Sequence, residues 1–165
     1  ALRRYGPDEL AKLYEARSLD TEVPLEDFLR AEANKALEGY FKSREYFIRL
    51  IKRPSELGEE YGQVRRRPLG VVEAVCEVVE ASDSIFTPCR YGIRVLEVTE
   101  GPRKASEASE AFSFRGRFCE IAGEGDIIIV RGVLEELSEF GEGRYAISIG
   151  GVEGGWILPR RAGRS

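Results

Sequence analysis

The clearest pattern of hydrophobic and polar positions lies in residues 109–134, SEAFSFRGRFCEIAGEGDIIIVRGVL. Its first half alternates between two sets, Phe112, Phe114 and Phe118 on one parity and Arg115 and Arg117 on the other. Because successive side chains of a strand point to opposite faces, we expect the rings inside and the arginines outside. The second half is apolar on both parities at 127–130, which favours a strand covered on both faces after the acidic turn at 124–126.

The N-terminal part of the chain predicts helices. The first begins at residues 6–8, Gly-Pro-Asp, because proline and acidic residues favour the first helical turn. The second begins at Pro24 and carries an apolar stripe at helical spacing as far as Tyr40. The segment YFIRLIK at 46–52 favours a short strand, since it is rich in aromatic and β-branched residues.

Beyond residue 68 the pattern is nearly all β. Strands are predicted at about 70–80, 90–99, 110–119, 126–134 and 143–149. The expected fold class is therefore α+β, with N-terminal helices followed by a small, mostly antiparallel, OB-like β-barrel. We expect a helical region with one strand at 1–68, a β-barrel domain at 69–159 and a frayed basic tail at 160–165.

The composition indicates a globular protein adapted to high temperature. Apolar residues make up 42% of the chain and charged residues 33%. Asn34 and Gln63 are the only residues with side-chain amides. A low content of amides together with many glutamates and arginines is typical of proteins from hyperthermophiles. No apolar run approaches the ~18 residues of a membrane span, so we expect no membrane segment and a cytoplasmic location.

The charge distribution limits how the chain can contact nucleic acid. The net charge of −4 argues against a molecule coated in basic charge. Residues 1–68 carry 14 basic and 13 acidic side chains, whereas residues 69–165 carry 11 and 16. Any nucleic-acid contact must therefore be a local patch.

The residue types exclude several kinds of active site. The chain has no histidine, which removes the commonest general base and most transition-metal sites. No phosphate-binding loop or nucleophile elbow occurs, so we predict no catalytic residue, metal or cofactor. The three cysteines, Cys76, Cys89 and Cys119, form no CxxC pair; burial as free thiols is favoured, and one disulfide is the alternative.

Basic residues supply the best candidate surface. The predicted nucleic-acid-binding residues are Arg65, Arg66, Arg67, Arg90, Tyr91, Arg115 and Arg117. Guanidinium groups bind phosphate and stack on bases, and the second and third strands of an OB barrel are its usual nucleic-acid face. The alternative is that these arginines pair with the abundant glutamates of a heat-adapted surface.

Several segments resemble a known family. TPCRYGI at 87–93 and SFRGRFCEIAGEGD at 113–126 are similar to the C-terminal region of archaeal predicted nucleotidyltransferases of the DNA polymerase β superfamily. Supporting segments are YFIRLIKRP at 46–54, RRPLG at 66–70 and IIIVRGVLE at 127–135. The resemblance covers most of the chain from about residue 31 onward.

The resemblance implies a part without catalytic machinery. In that superfamily a Gly-Ser motif followed by paired aspartates binds magnesium and the nucleoside triphosphate. The nearest segment here, Ser-Asp-Ser at 82–84, lacks the glycine and the second carboxylate. The chain is then expected to be the C-terminal portion of a longer enzyme or a stand-alone relative without the catalytic half.

Three functional hypotheses follow. The first is a non-catalytic accessory domain that helps a nucleotidyltransferase, in cis or in trans, to hold RNA or single-stranded DNA. The second is a protein-interaction or structural module whose helical stripes dock a catalytic partner or form a dimer. The third is a complete enzyme with an unrecognised acidic site.

Overall fold

The computed structural model describes residues 2–17, 25–33, 35–52, 65–139, 142–151 and 154–160. The chain is mostly β. The N-terminal part contains β1 (Leu2–Arg3), α1 (Pro7–Arg17), α2 (Leu25–Ala33), β2 (Glu38–Phe41) and β3 (Arg44–Phe47). The larger part contains β4 (Arg65–Glu80), β5 (Cys89–Glu100), β6 (Ala108–Ser113), β7 (Ile127–Glu139), β8 (Glu142–Ile149) and β9 (Trp156–Arg160).

The strands form two sheets. The smaller sheet has the order β1-β2-β3, and the larger has the order β4-β5-β6-β8-β7-β9. Strand β4 also pairs with β7, so the strands β4, β5, β6, β8 and β7 are hydrogen-bonded in a closed ring. All these pairings are antiparallel except that of β6 with β8, which is parallel.

Alternation along the strands separates two apolar clusters. On β4, Val72, Ala74, Cys76 and Val78 are fully buried and belong to the main core. On β6, Ala111 belongs to that core, whereas its neighbour Phe112 belongs to a second cluster with Leu137 and Ala146. Because neighbouring residues of a strand face opposite sides, the second cluster lies on the other face of the sheet.

The expected fold class is wrong. Instead of N-terminal helices followed by an OB-like barrel in an α+β chain, the molecule is mostly β, with a six-stranded mixed sheet. Its helices are short, and β1, β2 and β3 form a sheet within the region that we expected to be helical. The apolar stripe that reaches Tyr40 belongs partly to β2. In that strand Gly39 lies close to β1, because a Cβ at this position would lie 2.2 Å from the carbonyl oxygen of Arg3.

Residues 65–68 form the first part of strand β4. Strand β4 begins at Arg65, and Arg65, Arg66 and Arg67 are all paired with β7. Of the expected tail at 160–165, Arg160 ends β9 and the remainder lies outside the described residues. No helix in the described part of the chain combines the length and the apolar character needed to cross a membrane.

The N-terminal part is attached to the larger sheet by specific hydrogen bonds. The Glu120 carboxylate accepts hydrogen bonds from the backbone N–H groups of Ala36 and Leu37, at 3.1 and 3.2 Å. The Thr87 backbone N–H donates to the Leu50 carbonyl at 2.8 Å. The last of these contacts holds Leu50 beside the segment that leads into β5.

Candidate nucleic-acid interface

Two arginines from different strands pack on one phenylalanine ring. Strand β6 presents Phe112, and the guanidinium carbons of Arg66 on β4 and Arg90 on β5 lie 5.1 and 5.6 Å from its ring centroid. Phe112 is 3% exposed, so its ring supports the arginines and is not available to a ligand. Such cation–π contacts hold guanidinium groups in place. We refer to Arg66, Arg90, Phe112 and the adjacent Phe114 as the Phe112 cluster.

Phe114 is the exposed aromatic member of this cluster. Its side chain is 68% exposed, and its ring centroid lies 6.4 Å from that of Phe112 in an edge-to-face arrangement. Aromatic side chains contribute strongly to binding when a partner buries them. This exposed ring lies next to Phe112, on which the two guanidinium groups pack, and exposed aromatic rings of this kind are surfaces on which bases can stack.

Carboxylates pair with three of the predicted arginines. Arg90 bonds to Glu110 at 2.6 Å, Arg66 to Glu135 at 3.2 Å, and Arg67 to Glu136 at 2.5 Å. The alternative interpretation, arginines paired with glutamates, therefore describes these three contacts. The pairs of Arg66 and Arg67 are exposed, and such pairs contribute only about 0–1 kcal/mol. The Arg90–Glu110 pair is partly buried.

Arg115 lies at the surface beyond β6. Its Nε donates a hydrogen bond to the Gly150 carbonyl at 3.0 Å. Gly150 has φ +83°, and a Cβ there would lie 2.8 Å from Arg115 Cδ, so the glycine leaves room for the arginine stem. The stem is thus fixed while the side chain remains exposed.

The predicted alternation through residues 112–118 fails at Ser113, which is buried, and at Phe114, which is exposed, although Phe118 is buried and Arg115 is exposed as expected. Strand β6 ends at Ser113, which is buried and donates a hydrogen bond from Oγ to the Ile149 carbonyl at 2.8 Å. The chain then enters a short 3₁₀ helix at Gly116–Phe118. Arg115 and Arg117 consequently do not emerge from one strand, and Arg117 is half-buried in that helix.

Tyr91 does not lie on the candidate surface. It is fully buried in the main core, where its hydroxyl donates to the Phe118 carbonyl at 2.5 Å and accepts from the Ile121 N–H at 3.1 Å. Burial raises the pKa of this hydroxyl. Tyr91 is therefore a structural residue, and Arg90 alone of the pair faces the Phe112 cluster.

Comparison with known proteins found no match for this chain. No protein-family model matches the chain, and no curated protein or solved structure matches it.

The sequence analysis missed a second basic and aromatic segment. The Arg49 guanidinium lies 5.1 Å from the ring centroid of Phe47, which is 48% exposed. A Cβ at Gly116 would lie 2.8 Å from Phe47 Cζ, so this ring packs against the loop that follows Arg115. The mixture of aromatic, apolar and basic residues in YFIRLIK could have indicated this segment. A sequence pattern does not show, however, which distant residues the segment packs against.

The cysteines are free thiols in the structure, and all three are buried. A hydrogen bond from Cys89, together with one from Thr87 and the nearby Lys35 ammonium, lowers the pKa of the Cys119 thiol to about 7. Burial raises the pKa of Cys76 to about 12. Cys119 is thus more readily ionised than Cys76. Among the described residues, no three cysteine, aspartate or glutamate side chains are placed to hold a metal ion.

Proposed function

We propose that this protein binds single-stranded nucleic acid, RNA or single-stranded DNA, through the Phe112 cluster and the exposed Arg115 that follows it in the chain. The observation that carries the proposal is the packing of Arg66 and Arg90 on one buried ring beside the exposed ring of Phe114. Phosphates bind the guanidinium groups, and a base stacks on Phe114.

The local charge supports this proposal although the chain is acidic overall. Arg66 and Arg90 of the cluster pair with Glu135 and Glu110, and Arg115 lies exposed beyond the end of β6, so three arginines stand beside two glutamates. Arg65 and Arg67 alternate with Arg66 along β4 and point to its other face. Positive charge therefore remains on this surface for the phosphate backbone. A patch of this size suits contact with a few nucleotides and does not require a basic molecule.

The biological role we propose is that of an accessory domain acting in the cytoplasm with a nucleotidyltransferase, in cis or in trans. This part of the proposal rests on the sequence resemblance. The accessory domain would hold the substrate strand while the partner carries out the chemistry.

Exposed apolar side chains favour a second candidate function, a protein-interaction module. Phe41, Ile48 and Ile51 are 44%, 44% and 74% exposed in the N-terminal part. A module of this kind would form a dimer or a stable complex and would show no affinity for oligonucleotides. Light scattering of the purified protein with and without oligonucleotide separates the two candidates.

Salt dependence of binding tests the proposed function. With a fluorescein-labelled ten-nucleotide RNA, we expect affinity to fall about twentyfold between 50 and 200 mM NaCl, as for roughly three phosphate contacts. Fluorescence anisotropy measures both constants, with a double-stranded DNA of equal length as the comparison. Absence of binding at 50 mM NaCl, or equal binding at both salt concentrations, would contradict the proposal.

A further inference from the structure

A cavity lies beside the Phe112 cluster, between residues 51–52 and the chain that leads into β5. Its volume is about 110 Å³. It is lined by Ile51, Lys52, Asp83, Phe86, Pro88 and Arg90, together with Thr87. Arg90 also packs on Phe112, so the cavity and the cluster share one guanidinium group.

Contacts between residues that are far apart in the sequence hold the walls of this cavity in place. The backbone of Leu50 forms a parallel β-bridge with Phe86, and the neighbouring Thr87 N–H bonds to the Leu50 carbonyl at 2.8 Å. On the same side, Lys52 Nζ bonds to Asp83 at 2.8 Å and lies 5.2 Å from the Phe86 ring centroid. The cavity is therefore a built feature of the folded chain.

The size of the cavity limits its occupant to a small flat ring. An apolar protein cavity of about 150 Å³ holds one benzene molecule. At about 110 Å³ and partly open to solvent, this cavity can receive one six-membered ring with part of the ring left outside, and it is too small for the fused rings of a purine. The side chains of Ile51, Phe86 and Pro88 supply apolar walls for such a ring.

The polar groups of the cavity match the edge of a pyrimidine. The Asp83 carboxylate accepts hydrogen bonds, and the Lys52 ammonium donates them, within 2.8 Å of each other. Cytosine offers an amino donor beside ring and carbonyl acceptors, and uracil offers an N–H donor between two carbonyl acceptors. Either base can therefore satisfy an adjacent acceptor and donor, while Arg90 lies where a flanking phosphate can bind.

We infer that this cavity binds one pyrimidine base of the strand that contacts the Phe112 cluster. The inference rests on the proposed function, because the same strand supplies both the stacked base and the enclosed base. It adds base preference to a surface that would otherwise bind single strands without regard to sequence.

The test uses anisotropy with three ten-nucleotide RNAs: oligo(U), oligo(C) and oligo(A). The wild-type protein is expected to bind oligo(U) and oligo(C) about tenfold more tightly than oligo(A). Lys52→Gln removes a positive charge and is expected to weaken binding to all three RNAs. Asp83→Asn removes a negative charge and is expected to strengthen it. Both are nevertheless expected to reduce the tenfold preference to about twofold.

Lys104→Gln is the matched control. Lys104 also pairs with a carboxylate, Glu107 at 3.4 Å, and also lies over an aromatic ring, that of Tyr145 at 5.7 Å. This variant is expected to keep the tenfold preference, and thermal melting of all three variants confirms that they are folded.

Equal wild-type affinity for the three RNAs, or a preference that survives in both Lys52→Gln and Asp83→Asn, overturns the inference and leaves the proposed function intact. No wild-type binding to any of the three RNAs overturns the proposed function and the inference with it.

Discussion

Replacing Arg66 and Arg90 together by alanine is expected to weaken single-stranded RNA binding on the order of 100-fold. A hydrogen bond to a charged group contributes roughly 1.5 to 3 kcal/mol, and each variant position removes at least one such contact with phosphate. The double variant also leaves Glu110 and Glu135 without the arginines that pair with them, so their charge repels the strand. Anisotropy at 50 mM NaCl measures the loss.

The matched control is Arg94→Ala with Arg131→Ala. Arg94 pairs with Glu77 at 2.7 Å, and Arg131 pairs with Glu100 at 2.6 Å while lying 5.5 Å from the ring centroid of Trp156. The two doubles thus remove the same charge and similar contacts, but only the first alters the Phe112 cluster. We expect less than about a threefold loss for the control. Equal losses in the two doubles would show that net charge, and not this surface, controls binding.

Gly132→Ala is expected to destabilise the protein by about 2 to 3 kcal/mol, through crowding of two strands that hold the cluster in place. A Cβ at Gly132 of β7 would lie 2.3 Å from the Ser148 carbonyl oxygen of β8. That oxygen belongs to the backbone, so one strand must move. The expected fall in Tm is roughly 5 to 10 °C for a chain of this length.

Gly143→Ala provides the comparison for this variant. Gly143 lies in β8, and the nearest atom to a Cβ there is Glu136 Oε1 at 3.9 Å, an ordinary contact. Its Tm is expected to stay within about 2 °C of the wild type. If differential scanning calorimetry gave the same Tm for both variants, the close approach of β7 and β8 at Gly132 would be wrong.

Local alternation predicted individual strands better than it predicted their arrangement. The strand expected at 143–149 is β8, Glu142–Ile149, because its apolar and polar residues alternate cleanly. The strand expected at 126–134 begins where predicted but continues to Glu139, since β7 also pairs with the start of β4. Pairing between distant segments leaves no periodic signal within either one.

The second predicted helix shows how a local pattern misleads. Its apolar stripe continues beyond Ala33, where α2 ends, into the segment that forms β2. The backbone N–H groups of Ala36 and Leu37 bond to Glu120 instead of to a preceding helical turn. Glu120 is more than 80 residues away in the sequence, and a local periodicity analysis carries no information about it.

The candidate site was partly predictable. Clustered arginines indicated a basic surface, and Arg66 and Arg90 do meet, but only the folded chain shows that Phe112 brings them together. The choice of Tyr91 could have been avoided from the sequence alone. Arg90 and Tyr91 are neighbours on one strand, so their side chains must point to opposite faces.

Nuclear magnetic resonance of the uniformly ¹⁵N-labelled protein titrated with oligo(U) tests the central claim most directly, because it locates the bound strand on the molecule. The account predicts that the largest amide shifts occur at Arg66, Arg90 and residues 112–115, and that they weaken as NaCl is raised. Spectra unchanged by a saturating excess of RNA, or shifts confined to the strands around Trp156 and Arg94, would contradict it.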